Sequence, residues 1–185
     1  MLPSLDARSI LIAQMELPAP EIATALLAAK RAGARVILNL APALPLDALA
    51  MDAVDILVVN ESEAEILAVR LDMRAPSAVL LARKLGRTVI VTLGDQGSEA
   101  SDGARRIKVR ALTVTASDTV GAGDAYVGVL AAALDRGVDL PAAMHRASVA
   151  GGLACTVAGA QPAMPLADAI DRHIGQLPAP VLSAA

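Results

Sequence analysis

Short apolar runs alternate with amphipathic helical patterns through the first half of the chain. The runs are rich in Val, Ile and Leu and have the length of buried strands, and segments with apolar residues three or four positions apart lie between them. Gly33 and Gly86 mark the ends of two of these helical segments. The pattern predicts strands at residues 9–13, 35–40, 56–59 and 88–93, and helices at residues 21–32, 61–69 and 76–85.

The second half of the chain is predicted to be mainly helical. A Ser-, Asp- and Gly-rich stretch at residues 98–103 predicts a hairpin turn, with short alternating segments at residues 107–109 and 112–114. Strands that alternate with helices indicate an α/β fold with a mainly parallel sheet flanked by helices. We expect one domain over residues 1–176 and a frayed tail over residues 177–185. The later helices are predicted at residues 125–136, 141–157 and 166–174.

Composition and charge limit the partners of the protein. Of the 185 residues, 55% are hydrophobic and none is Trp or Phe, so the core must consist of small aliphatic side chains. The net charge of -3 predicts no nucleic-acid partner, because nucleic-acid binders carry a basic face. Cys155 stands alone, which excludes an internal disulfide and fits a reducing compartment. With no secretory signal and no unbroken apolar span, we expect a cytoplasmic protein without a membrane partner.

The stretch from Asp118 to Asp124 reads Asp-Thr-Val-Gly-Ala-Gly-Asp and contains the strongest candidate chemistry. Gly121 and Gly123 let the backbone approach a ligand, and the helix that follows offers free N–H groups and a positive dipole end. Phosphate is the anion that such a loop suits. Asp124 has two interpretations: a helix cap, since Asp is a favoured N-cap residue, or a base that accepts a proton from an attacking hydroxyl. No Lys-Ser/Thr follows the glycines, so the loop is not a Walker A loop.

Four further motifs accompany this loop. They are LNLAPA at residues 38–43, NESEAE at residues 60–65, TLGDQG at residues 92–97 and AGAQPAMP at residues 158–165. Together with DTVGAGDAY, and in the same order, they resemble the motifs of the ribokinase-like carbohydrate kinases, also called the phosphofructokinase B family. The resemblance implies a ribokinase-like fold with a Rossmann-type sheet, truncated at its N-terminal side. In that family the first strands, a small β lid and most sugar contacts precede the matched part.

The resemblance implies an ATP-dependent phosphotransferase that acts on a hydroxyl of ribose or a similar sugar. Asp124 would be the catalytic base, and the N–H groups of Gly121, Ala122 and Gly123 would form an anion hole for the transferred phosphoryl group. Glu16 would contact the sugar. Asn60 and Glu63 would lie near the phosphates and Mg²⁺. The nucleotide would be lined by Thr92, Gly94 and Gly97, with Ser148 reaching toward the adenine side.

Many members of the family also bind a monovalent cation such as K⁺ near the anion hole. Ala163 stands where the family has Ser, so one hydroxyl ligand of that cation is lost here. The ligands implied by position, mostly through backbone carbonyls, are Asp118, Val120, Ala154, Val157 and Gly159.

Other interpretations remain open for the motif residues and for the whole chain. Taken singly, Glu63 is typical of a solvated helix residue and Asn60 of an N-cap. A non-catalytic nucleotide-binding or interaction module derived from a sugar kinase would retain the same phosphate loop, so the motifs do not separate it from an enzyme. A sheet without the family's first strands should expose an apolar edge, and we therefore expect self-association as a homo-oligomer.

Overall fold

The computed structural model describes residues 5–185, so the first four residues of the predicted domain lie outside the described part. The chain divides into two compact units. The first comprises the chain up to Thr92 together with Ala100–Arg106 and Ala184–Ala185, and the second comprises Leu93–Glu99 and Ile107–Ser183. No helix within residues 5–185 is both long enough and apolar enough to cross a bilayer.

The first unit contains the four strands predicted from the apolar runs, and they pair in parallel in chain order. β2 and β3 have buried central residues on both faces, which is why their sequences are continuous Val, Ile and Leu runs rather than alternating ones. The predicted α/β architecture is confirmed. The strands are β1 (Ile10–Gln14), β2 (Arg35–Asn39), β3 (Ile56–Asn60) and β4 (Thr88–Thr92).

Helices connect these parallel strands, and most begin and end at residues suited to the position. In the last of them the Ser77 hydroxyl accepts the Leu80 N–H, and Gly86 ends the helix in the left-handed conformation at φ 66°. The helix capped by Asp47 was not predicted, because five residues are too few to show a helical period. The helices are α1 (Ala19–Arg31), α2 (Ala48–Asp52), α3 (Glu61–Arg70) and α4 (Ala78–Leu85).

Three further strands follow, β5 (Ser98–Ser101), β6 (Arg105–Val109) and β7 (Val181–Ala184), and all seven strands lie in chain order in one sheet. The hairpin turn is at residues 102–104 rather than across 98–103. Residues 98–101 form a buried strand, and the Ser101 hydroxyl donates a hydrogen bond to Arg105 O across the turn. Residues 112–114 form no strand, so that prediction is wrong.

The C-terminal residues differ from the frayed tail that the sequence predicts. Strand β7 is exposed along its length, and hydrogen bonds at the chain end hold it in place. Within the first unit, Ala185 N–H donates to Ala104 O, and the Arg83 guanidinium donates to Ala185 O at 2.8 Å. These bonds satisfy backbone groups that a free tail would leave to water.

The second unit is built on two long helices that pack against each other, α5 (Ala122–Asp135) and α6 (Leu140–Ala154), followed by α7 (Ala167–His173). Their contact is close because small residues line it: a Cβ on Gly151 would lie 3.4 Å from Ala122 O. Helix α5 begins three residues before the predicted start, so Asp124 lies inside it. Residues 110–117 are irregular, so the loop before α5 does not directly follow a strand.

Candidate functional site

Polar side chains end all four parallel strands of the first unit. The register aligns Gln14 with Asn39 at the ends of β1 and β2, and Asn60 with Thr92 at the ends of β3 and β4. Ligands of open α/β sheets bind at the carboxyl ends of the strands. Two of the predicted site residues, Asn60 and Thr92, are therefore neighbours at this edge. Gln14 and Asn39 were not predicted as site residues, although a polar residue at the end of an apolar run was the available signal.

Asn60 and Glu63 form a reciprocal capping box at the start of α3. The Asn60 side-chain oxygen accepts the Glu63 N–H at 2.9 Å, and Glu63 Oε2 accepts the Asn60 N–H at 2.8 Å. Burial raises the pKa of the half-buried Glu63 carboxyl, and the hydrogen bond from the Asn60 backbone opposes that shift. The prediction that Asn60 is an N-cap residue is thus confirmed. It leaves Glu63 Oε1 outside the capping interaction.

Glu16 lies in the turn that follows β1 and is exposed. The Gln14 side-chain amide donates to Glu16 Oε2 at 2.7 Å, which orients the carboxylate at the end of its strand. Met15 between them is 1% exposed and anchors the turn in the core. The proposed sugar contact is therefore held at the same edge of the sheet as Gln14 and Asn39.

The predicted phosphate loop of the second unit ends at Gly121, which is the N-cap residue of α5. Gly121 has φ 81°, in the left-handed region, and a Cβ there would lie 3.1 Å from Ala160 Cα, so glycine suits this position on both counts. Asp124 is the third residue of the helix rather than its cap, and it is exposed. Its carboxylate accepts no hydrogen bond from any described residue, so helix capping does not account for this aspartate.

The start of α5 presents backbone donors. Ala122 N–H makes a long bond of 3.3 Å to Thr119 O, and Ala125 N–H donates to Gly121 O at 2.9 Å. Among the described residues, the N–H groups of Gly121, Gly123 and Asp124 have no acceptor. Donors free at a helix N-terminus, with the positive end of its dipole, suit an anion. Of the three predicted anion-hole donors, Ala122 is the one already engaged.

Asp118 connects the phosphate loop to the segment after α6. Its carboxylate accepts the Val120 N–H at 3.0 Å and the Gly159 N–H at 2.9 Å. These hydrogen bonds, that from Gly159 first, hold the pKa of Asp118 below its usual value. Cys155 O accepts the N–H groups of Ser117 and Asp118, which ties the same loop to the end of α6. The loop geometry before α5 is thus held by hydrogen bonds from outside the loop.

The predicted cation ligands fall on both sides of this connection. Asp118 and Gly159 contact each other directly, and Ala154, the last residue of α6, is fully buried. Val120 and Val157 are exposed. No group of three or more His, Cys, Asp or Glu able to hold a metal lies within residues 5–185.

Cys155, at the end of α6, is half-buried rather than part of the core. Burial, followed by the charge of Asp118, raises the pKa of its thiol. The thiol is therefore protonated at neutral pH and is a poor nucleophile.

The remaining predicted nucleotide residues have different surroundings within the second unit. Gly97 is buried at φ 98°, and a Cβ there would lie 2.1 Å from Val109 O, so any side chain would collide with the end of β6. Gly94 at φ 55° faces open space. Ser148 on α6 is 6% exposed, and its hydroxyl has no hydrogen-bond partner among residues 5–185. The fold thus requires Gly97 whatever it binds. By contrast, Gly94 lies beside open space, and the Ser148 hydroxyl can still form a hydrogen bond.

Comparison with known proteins assigns these motifs to a family. Residues 5–167 match the family described as pfkB family carbohydrate kinase. A ribokinase of Staphylococcus aureus (strain COL) is 32% identical over 166 residues, which cover 87% of this chain and 55% of the relative. A deoxyribokinase of Salmonella typhimurium is 32% identical over 171 residues, which cover 89% and 56%. The chain therefore spans about half the length of the curated relatives it matches.

Solved structures show the same likeness. Ribokinase from Thermotoga maritima has a TM-score of 0.82 and 30% identity, covering 90% of this chain and 57% of that one. Arabidopsis thaliana ribokinase, solved in complex with ribose and ATP, has a TM-score of 0.81 and 29% identity, covering 91% and 57%. The ribokinase-like fold expected from the motifs is confirmed.

Proposed function

The chain belongs to the pfkB family of carbohydrate kinases, and we propose that it transfers the γ-phosphoryl group of ATP to a hydroxyl of ribose or a similar sugar. Ribokinases and a deoxyribokinase among its relatives support the reaction class. The Arabidopsis complex supports the two ligands. Because the chain spans about half of these relatives, the proposal concerns the part that binds ATP and carries the base.

The observation that carries this proposal is the position of Asp124. Its carboxylate is exposed, it accepts no hydrogen bond from the described residues, and it lies in the first turn of α5 beside free N–H donors. A carboxylate there opposes the charge of a bound phosphate, which is unfavourable for binding alone but suits a base. The sugar oxygen would attack the γ-phosphorus while its proton passes to Asp124, and the bond to the leaving ADP oxygen would break.

The donors at the start of α5 would stabilise charge on the transferred group. Gly121 and Gly123 offer free N–H groups, and Asp124 adds its own backbone N–H. Fixed donors aimed at developing charge lower a barrier because they need no reorganisation during the reaction. Ala122 would take part by exchanging its 3.3 Å bond to Thr119 O for the phosphoryl oxygen.

The first unit would hold Mg²⁺ and the ATP phosphates through Asn60 and Glu63. The half-buried Glu63 carboxyl has a raised pKa, so a nearby cation would offset the cost of its ionisation. Oxygen donors suit Mg²⁺, which keeps several of its waters. The residues present therefore fit this ion, which would neutralise phosphate charge. Glu63 would act through its Oε1 oxygen while Oε2 remains in the capping box.

The other predicted residues take the surrounding roles. Asp118 fits a monovalent cation, because its low pKa keeps the carboxylate ionised, and K⁺ would lie among the predicted ligands around it. Glu16 would receive a sugar hydroxyl. Thr92, Gly94 and Ser148 would border the nucleotide, Ser148 through the hydroxyl that no described residue bonds.

Replacing Asp124 with Asn tests the proposal. We expect phosphoryl transfer to fall ~10²–10⁴-fold with ATP affinity changed only a few-fold, because the base is lost and no binding contact is removed. The free energy of unfolding should fall by about 0.3–1 kcal/mol, since a carboxylate at a helix start favours the dipole. A coupled assay, nucleotide titration and urea unfolding measure the three quantities.

Asp139→Asn is the matched control. Asp139 caps α6 by accepting the Ala142 N–H at 2.9 Å, and Asn caps equally well, so the same loss of charge at another helix start should leave transfer unchanged. Transfer by Asp124→Asn at the parent rate would show that Asp124 is not the base.

A non-catalytic nucleotide-binding module is the second candidate. It is favoured by the capping box, which gives Asn60 and Glu63 a role in the fold alone. The two candidates differ in a single assay. ATP binding without ribose-dependent release of ADP at any enzyme concentration would support the module.

A further inference from the structure

A buried hydrogen bond joins the start of β5 to helix α5 inside the second unit. The Tyr126 hydroxyl donates to Ser98 Oγ at 2.9 Å, and the two residues are 5% and 2% exposed. Burial raises the pKa of the Tyr126 hydroxyl, and the bond with Ser98 opposes that shift, so the group stays a neutral donor at neutral pH. Each hydroxyl therefore satisfies the other in a place that water does not reach.

Ser98 directly follows the glycine turn, which we define as residues 94–97. The turn is closed by its own backbone, since Gly97 N–H donates to Gly94 O at 3.1 Å and Leu93 N–H donates to Gly97 O at 2.8 Å. The backbone of Gly97 also lies against the end of β6, where no Cβ would fit. A turn held in this way moves as one piece, so the position of Ser98 sets the position of the turn.

At the other end of the bond, Tyr126 lies four residues after Ala122, the first residue of α5. Residues four apart lie on the same face of a helix. Both meet α6 at one place, since a Cβ on Gly151 would lie 3.4 Å from Ala122 O and 3.8 Å from Tyr126 Cβ. Asp124 lies between them in the chain. A displacement of Tyr126 would therefore move the first turn of α5, including Asp124 and the N–H donors beside it.

Stability alone does not account for this pair of hydroxyls. Tyr126 is the only Phe, Tyr or Trp residue of the chain, and the other buried hydrophobic residues between positions 5 and 185 are aliphatic or Met. Replacing both partners of a buried hydrogen bond with apolar groups of the same shape can be nearly neutral for stability. Such a replacement removes direction, because a hydrogen bond restricts the distance and angle between two groups and an apolar contact does not.

We propose that the bond between Tyr126 and Ser98 fixes the spacing between the glycine turn and the first turn of α5, which makes Tyr126 a positioning residue for phosphoryl transfer. The inference rests on the proposed function, in which the glycine turn borders the nucleotide and Asp124 accepts the proton. The spacing matters because a misplacement of about 1 Å can lower a rate roughly 10²-fold. Tyr126 is buried and touches no ligand, so it acts through α5.

Two conservative substitutions and their combination test the proposal. Tyr126→Phe and Ser98→Ala each leave one buried hydroxyl unpaired, so each should lower the urea midpoint, whereas the double variant should return it close to that of the parent chain. Phosphoryl transfer should follow a different order. We expect kcat to fall roughly tenfold or more in all three variants, with KM for ATP changed less than about threefold, because the spacing is lost and no ligand contact is removed.

Ser101→Ala is the matched control. Ser101, at the other end of β5, is 1% exposed and donates to Arg105 O at 2.7 Å, so this variant should also lower the urea midpoint. It should leave kcat at the parent value, because the bond that it removes lies at the hairpin turn. A double variant of Tyr126 and Ser98 that recovered kcat together with its stability would overturn the proposal, since the bond would then serve the fold alone.

The bond also has its own spectroscopic signal, because no second Tyr and no Phe or Trp contributes to the near-ultraviolet spectrum. The near-ultraviolet circular dichroism of Tyr126 should change in Ser98→Ala and stay the same in Ser101→Ala. Identical spectra in the parent chain and both variants would show that the bond is absent in solution and would refute the inference.

Failure of the proposed function would look different from failure of this inference. A parent chain that releases no ADP in response to ribose would overturn both. A parent chain that transfers phosphate, together with a double variant of Tyr126 and Ser98 that does so at the same rate, would overturn the inference alone.

Discussion

Gly121 and Gly123 belong to the same motif, but the structure requires glycine at only one of the two positions. Gly121 has a left-handed φ and lies against Ala160 and Met164, so the fold itself requires it. Gly123 has no such φ, and a Cβ there would meet no described atom within 4 Å. A ligand that the backbone must approach, as proposed above, would explain a glycine that the fold does not need in the first turn of a helix.

Gly123→Ala is therefore expected to separate binding from folding. The free energy of unfolding should stay the same or rise by up to about 1 kcal/mol, because alanine restricts the unfolded chain, while ATP affinity should fall because the methyl group obstructs the phosphates. Gly128→Ala, later on the same helix and equally open, should stabilise without weakening ATP binding. Calorimetric titration and urea unfolding of both variants give the comparison. Equal ATP affinity in the two would mean that α5 does not bind phosphate.

At the level of secondary structure, the capping box of α3 gives the same two residues a structural and a proposed binding role. Asn60→Ala removes the acceptor for the Glu63 N–H and should cost about 1 kcal/mol of unfolding free energy. Glu63→Gln keeps the reciprocal bond, since glutamine also serves at this position, and removes only the charge. We expect Mg²⁺-dependent activity of Glu63→Gln to fall roughly 10–100-fold with the helix intact, as circular dichroism would verify.

The raised pKa of Glu63 predicts how the stability of this helix depends on pH. A carboxyl whose pKa is higher in the folded state binds its proton more tightly there, so its contribution to stability is present at low pH and is lost as pH rises through that pKa. Glu63→Gln should thus be more stable than the parent chain at pH 7 and equal to it below about pH 4. Urea midpoints at the two pH values measure this. The opposite order would mean that the capping bond, rather than burial, dominates.

For the molecule as a whole, the length of the chain bears most on its activity. It covers 55% of the Staphylococcus aureus ribokinase and 57% of the Arabidopsis structure. We predict that the 185 residues assayed alone bind ATP but phosphorylate ribose far more slowly than a full-length ribokinase. Orientation of the acceptor hydroxyl can supply roughly 7–11 kcal/mol of a barrier, and Glu16 and Asp124 are the substrate residues predicted here. Nucleotide titration beside a coupled ribose assay checks this, and ordinary turnover would contradict it.

The order of the elements could be predicted from local pattern because each signal is short in range. The buried runs of β2 and β3 and the terminal glycines Gly33 and Gly86 depend on near neighbours, and the structure has these elements where the periodicity puts them. Helix α2 was missed because it is too short to show a period. Strand β7 was missed because Val181 and Leu182 are exposed, and the bonds of the chain end to Ala104 and Arg83 come from distant sequence.

What the sequence determined by itself was therefore the α/β class, the family motifs and the candidate residues, since periodicity and motif spacing are written along the chain. Only the tertiary structure decided what each candidate contacts. It placed Asp124 as the third residue of α5 rather than at its cap. It requires glycine at position 97, because any side chain there would collide with Val109 O. It also joins Asp118 to Gly159 by a hydrogen bond. Gly97 and Val109, and still more Asp118 and Gly159, lie far apart in the chain, and only close packing of the folded backbone brings such residues within hydrogen-bonding or van der Waals distance.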